Sequence, residues 1–358
     1  MRPRRFNVGN ETINVATRGL LRQAFGSSLN LVPIPAQKSD EEGSLSGMTA
    51  QTTHEMNRFA RGVVVGGGNL YENGQLDLDP HALTALRPPM LLLSLSYGRI
   101  FDDRGRLHRR TDAMPDHQIQ ALHRASSGAL VRDTATLDHV RSLGIHDAEL
   151  GGCPTLFLDE LLPTPPAPSA RISDAPVLLS IRNPSLMSVP PGDQARLHGE
   201  LRRMIDALES RGLAPVHLLC HDKRDLEFAS SLPDVPHVLP DDVYDYLSLL
   251  QAAQLVVSFR LHAFVPCLSL GIPAINISYD ERSASLTDTI GLSSWDVPYL
   301  AEPDLTAAVM DRVDRLDELP SLVDDARPTW ESLRAVTARG IDQFSAAVTD
   351  YTDTLARL

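Results

Sequence analysis

Arg260 and His262 stand two residues apart within the segment 254–278, QLVVSFRLHAFVPCLSLGIPAINIS, where the chain concentrates its most reactive polar side chains. A guanidinium can hold a carboxylate or phosphate through a two-pronged fork, and an imidazole can move a proton near neutral pH. The pair therefore suits an anionic substrate that needs a general acid or base. Taken alone it has a plainer use, with the arginine pairing a carboxylate or carbonyl and the histidine satisfied at a helix start. Further candidates to line the same pocket are Arg282, Arg132, Arg182, His221 and Tyr97, with Arg99 beside Tyr97. Gly67, Gly68 and Asn69 join them, because glycines after a strand let the backbone come close either to a ligand or to a neighbouring element. The GGGN run has neither the GK[ST] of a Walker loop nor a GxGxxG spacing.

These residues share a position: each follows a short apolar run that reads as a covered strand. Strands are expected at 62–65, 90–95, 128–131, 177–181, 215–220, 255–258 and 274–278, with helices between them, an alternation that implies parallel sheets joined by right-handed crossovers. Arg260 and His262 then sit where a strand ends and a short helix begins, with Gly271 as its C-terminal cap and Pro273 as its stop. Open α/β sheets place ligands at this carboxyl edge. Arg182 and His221 leave consecutive strands at the same edge, so a suitable strand order brings three cationic or protonatable groups together. Near the start, NVGN leads into a helix capped by Asn10 or Thr12, and a glycine-containing loop at a helix start can bind anions. Segment 37–47 reads as a lid over a cleft. Residues 303–358 read as helical, interrupted at Pro320 and Pro328, with Trp330, Leu333, Val336, Ile341 and Phe344 as the apolar stripe.

The 358 residues suffice for two domains, and 42% hydrophobic with 22% charged residues is a globular composition. A formal charge of −13 argues against a general nucleic-acid or anionic-membrane surface. The start carries no apolar signal-peptide core and no run approaches a membrane span, which places the chain in the cytoplasm with no transmembrane segment. Cys153, Cys220 and Cys267 are far apart and odd in number, so they read as buried thiols rather than disulfides or a zinc site. The proline-rich stretch 163–170, PTPPAPSA, is the clearest linker.

Three stretches in order, the strand ending in GGGN at 63–69, RDTATLDHVRSLG at 132–144, and SFRLHA…SLGIPAINISYDER at 258–282, resemble the polysaccharide pyruvyl transferase family. The resemblance runs over about residues 7 to 295, and the RLH segment is its most specific part. It implies an α/β fold of two Rossmann-like domains in a GT-B-like arrangement: 1–162 on the acceptor side, linker 163–170, 171–320 on the donor side, and C-terminal helices 321–358 packing back across both. It also implies transfer of the enolpyruvyl group of phosphoenolpyruvate to hydroxyls of a sugar or glycan, such as a bacterial envelope polymer, with release of phosphate. Phosphoenolpyruvate is then a donor substrate and neither metal nor other cofactor is expected. Arg260 would clamp the donor carboxylate or phosphate, His262 would protonate its methylene carbon, and Arg282 stands where the family commonly has a lysine. Asn10 replaces an acidic residue of the family, and its usual first strand is missing. A GT-B glycosyltransferase or related nucleotide-sugar enzyme would share the fold, a diverged member could act on another anion, and assembly into a homo-oligomer is left open.

Overall fold

Two parallel sheets carry the chain. The computed structural model describes residues 7–26, 29–37, 45–72, 74–102, 104–162, 164, 166–172 and 175–357. The residues before Asn7, the middle of the expected lid at 38–44, and linker positions 163 and 165 lie outside the described residues. The first sheet has four strands in the order Val63–Gly68, Met90–Leu95, Gly128–Val131, Glu149–Leu150. The second has six, in the order Val297–Pro298, Ala274–Ser278, Leu255–Ser258, Val177–Ser180, Val216–Leu219, His237–Val238. All neighbours in both sheets are parallel. Their residues are buried almost throughout, which explains the unbroken apolar runs: helices cover both faces, so no alternation survives.

The strand order of the second sheet reverses between Val177–Ser180 and Leu255–Ser258, which lie side by side with Val257 opposite Leu179 and Ser258 opposite Ser180. Such a switch point splays the two following connections apart and opens a crevice at the carboxyl edge. Arg182 and Arg260 are carried out on those two connections. His221 follows the strand on the other side of Val177–Ser180, paired through Ser180 and Leu219.

The first and last helices tie the sheets together. Val8, Ile13 and Ala16 of the helix Val8–Phe25 belong to the core of the second sheet, whereas its Leu21 packs with Leu91, Leu93 and Leu130 of the first. The helix Leu319–Arg357 does likewise: Trp330 donates its indole N–H to the Ile290 carbonyl at 2.8 Å, and Thr337 donates to Gly151 at 2.8 Å. That helix runs unbroken through Pro328, contrary to the expected interruption. Asp324, whose carbonyl loses its partner there, faces solvent, and Pro320 sits in the first turn where a missing N–H is harmless.

The start of the chain also differs from expectation. Asn7 caps the first helix, accepting from Gly9 N–H at 3.1 Å and Asn10 N–H at 3.4 Å, while Val8 N–H goes to the His221 carbonyl at 3.1 Å. Its N-terminal donors are spoken for, so this terminus offers no anion site. The glycines do not follow their strand but complete it: Gly67 and Gly68 are inside Val63–Gly68 with φ of 89° and 87°, a region that side chains disfavour.

Candidate active site at the switch point

A cavity of about 370 Å³ opens between the two sheets, and among the described residues six arginines line it: Arg110, Arg132, Arg182, Arg224, Arg260 and Arg282. Of the residues singled out from sequence, it gathers Arg132, Arg182, Arg260, His262, Arg282, Asn69 and Asn10. A larger apolar groove of about 940 Å³, between the first helix, residues 29–34 and the C-terminal helix, contains none of these.

The arginines are not equivalent. Arg260 is the N-cap of the helix Leu261–Ser269, and its guanidinium is committed: Nε donates to the Ile181 carbonyl at 3.1 Å and Nη2 to Asp225. Arg282 is shared between Asp280, at 2.7 Å, and Glu72, at 3.2 Å across the cleft. Burial opposes its charge, but the two carboxylates outweigh burial and hold it protonated beyond the ordinary arginine range. Arg132 is almost fully buried and its Nη2 has no hydrogen-bond partner among the described residues. Arg182 Nη1 also lacks a hydrogen bond, with Asp222 and Asp225 only at 3.5 and 4.0 Å. Burial, reinforced by Arg260, pulls the Arg182 guanidinium down to about 10. Buried donors left without partners are expensive, so two together on one cavity wall imply an acceptor that comes from outside.

His262 belongs to the same set. Its Nε2 is buried with no partner among the described residues. Burial, then Arg132, Arg282 and Arg260, hold its pKa well below the usual value, so the imidazole of the empty site is neutral. The ring lies against the first helix, where a Cβ on Gly9 would stand 2.6 Å from His262 Cβ and 2.9 Å from Nδ1. Gly9→Ala is therefore expected to destabilise the protein by about 1–3 kcal/mol through overpacking, although alanine is the better helix former, and a thermal melt that rises would refute the contact.

Glu72 was not foreseen. It follows the strand that ends in GGG, is 3% exposed, and faces Arg282 and, at 4.0 Å, Arg110. Burial raises its carboxyl to about 7 against the pull of Arg282. A polar residue just beyond a glycine-ended strand was the available sign. Arg110 also escaped notice, in loop 102–116; it pairs with Asp112 and donates to Ser188 at 2.7 Å across the cleft.

Other expected residues stay outside the cavity. His221 is fully buried beneath it, sharing a 2.8 Å hydrogen bond with Ser180. Tyr97 is stacked on His139 with ring centroids 3.7 Å apart, and Arg99 is spent on Glu281. Gly67 and Gly68 abut Ile13 and Asn10 of the first helix rather than the cavity. Among the described residues no cluster of His, Cys, Asp or Glu could hold a metal ion, and no helix is long and apolar enough to cross a membrane.

The depressed histidines make acid a denaturant. His123, His221 and His262 are neutral in the folded chain but titrate near 6.5 when unfolded, so stability is complete above that value and falls as pH drops below it. His123, held by burial at about 4, contributes a loss of about 1.4 kcal/mol per pH unit across this interval. Urea titrations at pH 7.5 and 5.0 test this, and equal midpoints would contradict it.

A family model described as polysaccharide pyruvyl transferase matches residues 7–281, which include every arginine lining the cavity except Arg282. The chain belongs to the polysaccharide pyruvyl transferase family. Solved structures similar to this pyruvyl transferase family member include Staphylococcus aureus MnaA with UDP, at 11% identity and a TM-score of 0.56 over 97% of this chain and 94% of that one. UDP-GlcNAc 2-epimerases of Neisseria meningitidis (11% identity, TM-score 0.52, 97% of both chains) and Methanocaldococcus jannaschii (12%, 0.52, 84% of this chain and 89% of that one) are similar as well. At such identities they establish a GT-B-like fold for the transferase.

Proposed function

We propose that the protein transfers the enolpyruvyl group of phosphoenolpyruvate to hydroxyls of a sugar or glycan, forming a pyruvate ketal and releasing phosphate. One observation carries this reading: the unpartnered polar atoms Arg132 Nη2, Arg182 Nη1 and His262 Nε2 line one arginine-rich cavity. A small donor with both a carboxylate and a phosphate meets that need. The helix Leu261–Ser269 adds its N-terminus, which has no side-chain cap.

Anion binding changes the state of His262. Burial, and after it the charges of Arg132, Arg282 and Arg260, keep the empty site's imidazole neutral, and a phosphate and a carboxylate placed among them offset the guanidinium charges, pair with the ring directly and favour imidazolium. His262 then protonates the donor methylene carbon. An acceptor hydroxyl attacks the neighbouring carbon, and its proton passes to Glu72, whose raised carboxyl is suited to accept it. Phosphate departs with the proton held by Glu72, and attack by a second hydroxyl, whose proton returns to His262, closes the ketal.

The test is calorimetry with phosphoenolpyruvate at pH 7.5 in buffers of different ionisation enthalpy, beside UDP-GlcNAc. Saturable phosphoenolpyruvate binding with proton uptake is the expected result. UDP-GlcNAc binding without phosphoenolpyruvate binding would replace this reading with nucleotide-sugar chemistry.

A further inference from the structure

The helix that presents His262 has a proline in its interior, Pro266. In an α-helix the carbonyl of residue 262 would accept from the N–H of residue 266. Proline has no N–H, and its ring presses on that same carbonyl. The group left without its helical partner is thus the backbone carbonyl of the histidine in the cavity wall.

Tyr246 supplies the replacement. It lies in the neighbouring helix Val243–Ala252, is fully buried, and donates its hydroxyl to the His262 carbonyl at 2.7 Å. Burial holds its phenol protonated, as a donor must be. The ring is fixed in turn by His221, which meets it edge-on with centroids 5.1 Å apart and Nε2 3.5 Å from its oxygen. His221 is anchored to Ser180 of the central strand. A phenylalanine would fill the same volume, so packing alone does not account for the hydroxyl.

We propose that Tyr246 is a positioning residue for His262, replacing the N–H that Pro266 lacks and fixing the helical turn from which the imidazole faces the cavity. Helix ends fray when held only by their own ladder. Here the first turn is pinned to a buried strand through Ser180, His221 and Tyr246, while Gly9 bounds the ring from the other side. Its consequence for catalysis rests on the reading of His262 as proton donor, whereas the geometric claim stands apart from it.

The test uses full-length protein labelled with 13C at histidine Cε1, with the His262 signal assigned by its loss in His262→Gln. Ligand-free wild type, Tyr246→Phe, Pro266→Ala and the double variant are titrated. His262 titrates in the field of Arg132, Arg282 and Arg260, with His221 beneath it. Tyr246→Phe is expected to release the turn and raise the His262 midpoint by about half a pH unit or more as the ring moves toward solvent. Pro266→Ala returns an N–H to the helix, so the double variant is expected to recover the wild-type signal and midpoint. An unchanged His262 in Tyr246→Phe, or a double variant no better than the single one, overturns the proposal. Should Tyr246→Phe fail to fold, recovery of folding in the double variant supports it and continued unfolding overturns it. Addition of phosphoenolpyruvate is a separate arm: a wild-type His262 that does not respond counts against the donor reading and leaves the ligand-free comparison intact.

Discussion

Arg182→Met is expected to make the empty protein more stable while weakening phosphoenolpyruvate binding by about 100-fold or more. Arg182 is largely buried, its Nη1 makes no hydrogen bond, and its nearest carboxylates are at 3.5 and 4.0 Å. The fall of its pKa from 12.5 to about 10 corresponds to on the order of 3 kcal/mol of strain on the charged form. Methionine keeps the aliphatic stem and removes the charge. The two carboxylates do not become orphans, because Asp222 retains Arg224 and Asp225 retains Arg260. Removing an uncompensated buried charge stabilises, whereas removing a charge with no substitute partner destabilises, and the site satisfies the first condition. In the complex the sign reverses, because a charge-assisted contact to an oxyanion is lost in a water-poor cavity. Differential scanning calorimetry with and without phosphoenolpyruvate reads both effects. A lowered melting temperature in the empty variant would mean that Arg182 is structural, and undiminished binding would remove it from the donor site.

The reach of the sequence ended where partners come from distant segments. The RLH motif led to the right crevice because a strand followed by a capped helix is a local pattern, and strand ends at a switch point collect ligands whatever the topology elsewhere. Which arginine is free to bind is a different kind of fact. Arg260 looked like the clamp, yet Ile181 and Asp225, 79 and 35 residues away in the chain, occupy it. Arg132 directly precedes Asp133 at a helix start, a setting in which a local ion pair is the ordinary outcome. That pair is present through Nε at 3.2 Å, and only burial of Nη2 reveals an unmet donor. Glu72 was hidden for the same reason, since its carboxyl is raised by exclusion from water against the pull of Arg282 from the other sheet. His221 illustrates the opposite error: it leaves the expected edge, but Ser180 and Tyr246 turn it inward. Pro328 shows a local rule overridden by exposure, because the carbonyl it frees faces water.

His262→Gln is expected to leave phosphoenolpyruvate binding within about threefold of wild type and to reduce transfer by about 10²–10⁴-fold, the range of a single positioned proton donor. Glutamine retains a polar group near Nε2 without a titratable proton in the working pH range, so the variant separates occupancy from chemistry. The separation extends to equilibrium measurements. If His262 is neutral in the empty site and protonated once an anion lies among Arg132, Arg282 and Arg260, wild type takes up a proton on binding and the variant does not. Calorimetry in paired buffers reads that difference before any acceptor is known. With an acceptor in hand, phosphate release reads the kinetic loss. The acidic and basic limbs also become assignable: loss of the limb due to His262 leaves the one due to Glu72, whose carboxyl lies at about 7 in the empty site. Transfer that survives in His262→Gln, or proton uptake equal to that of wild type, would assign the proton to another group, with Glu72 a candidate in the cavity wall.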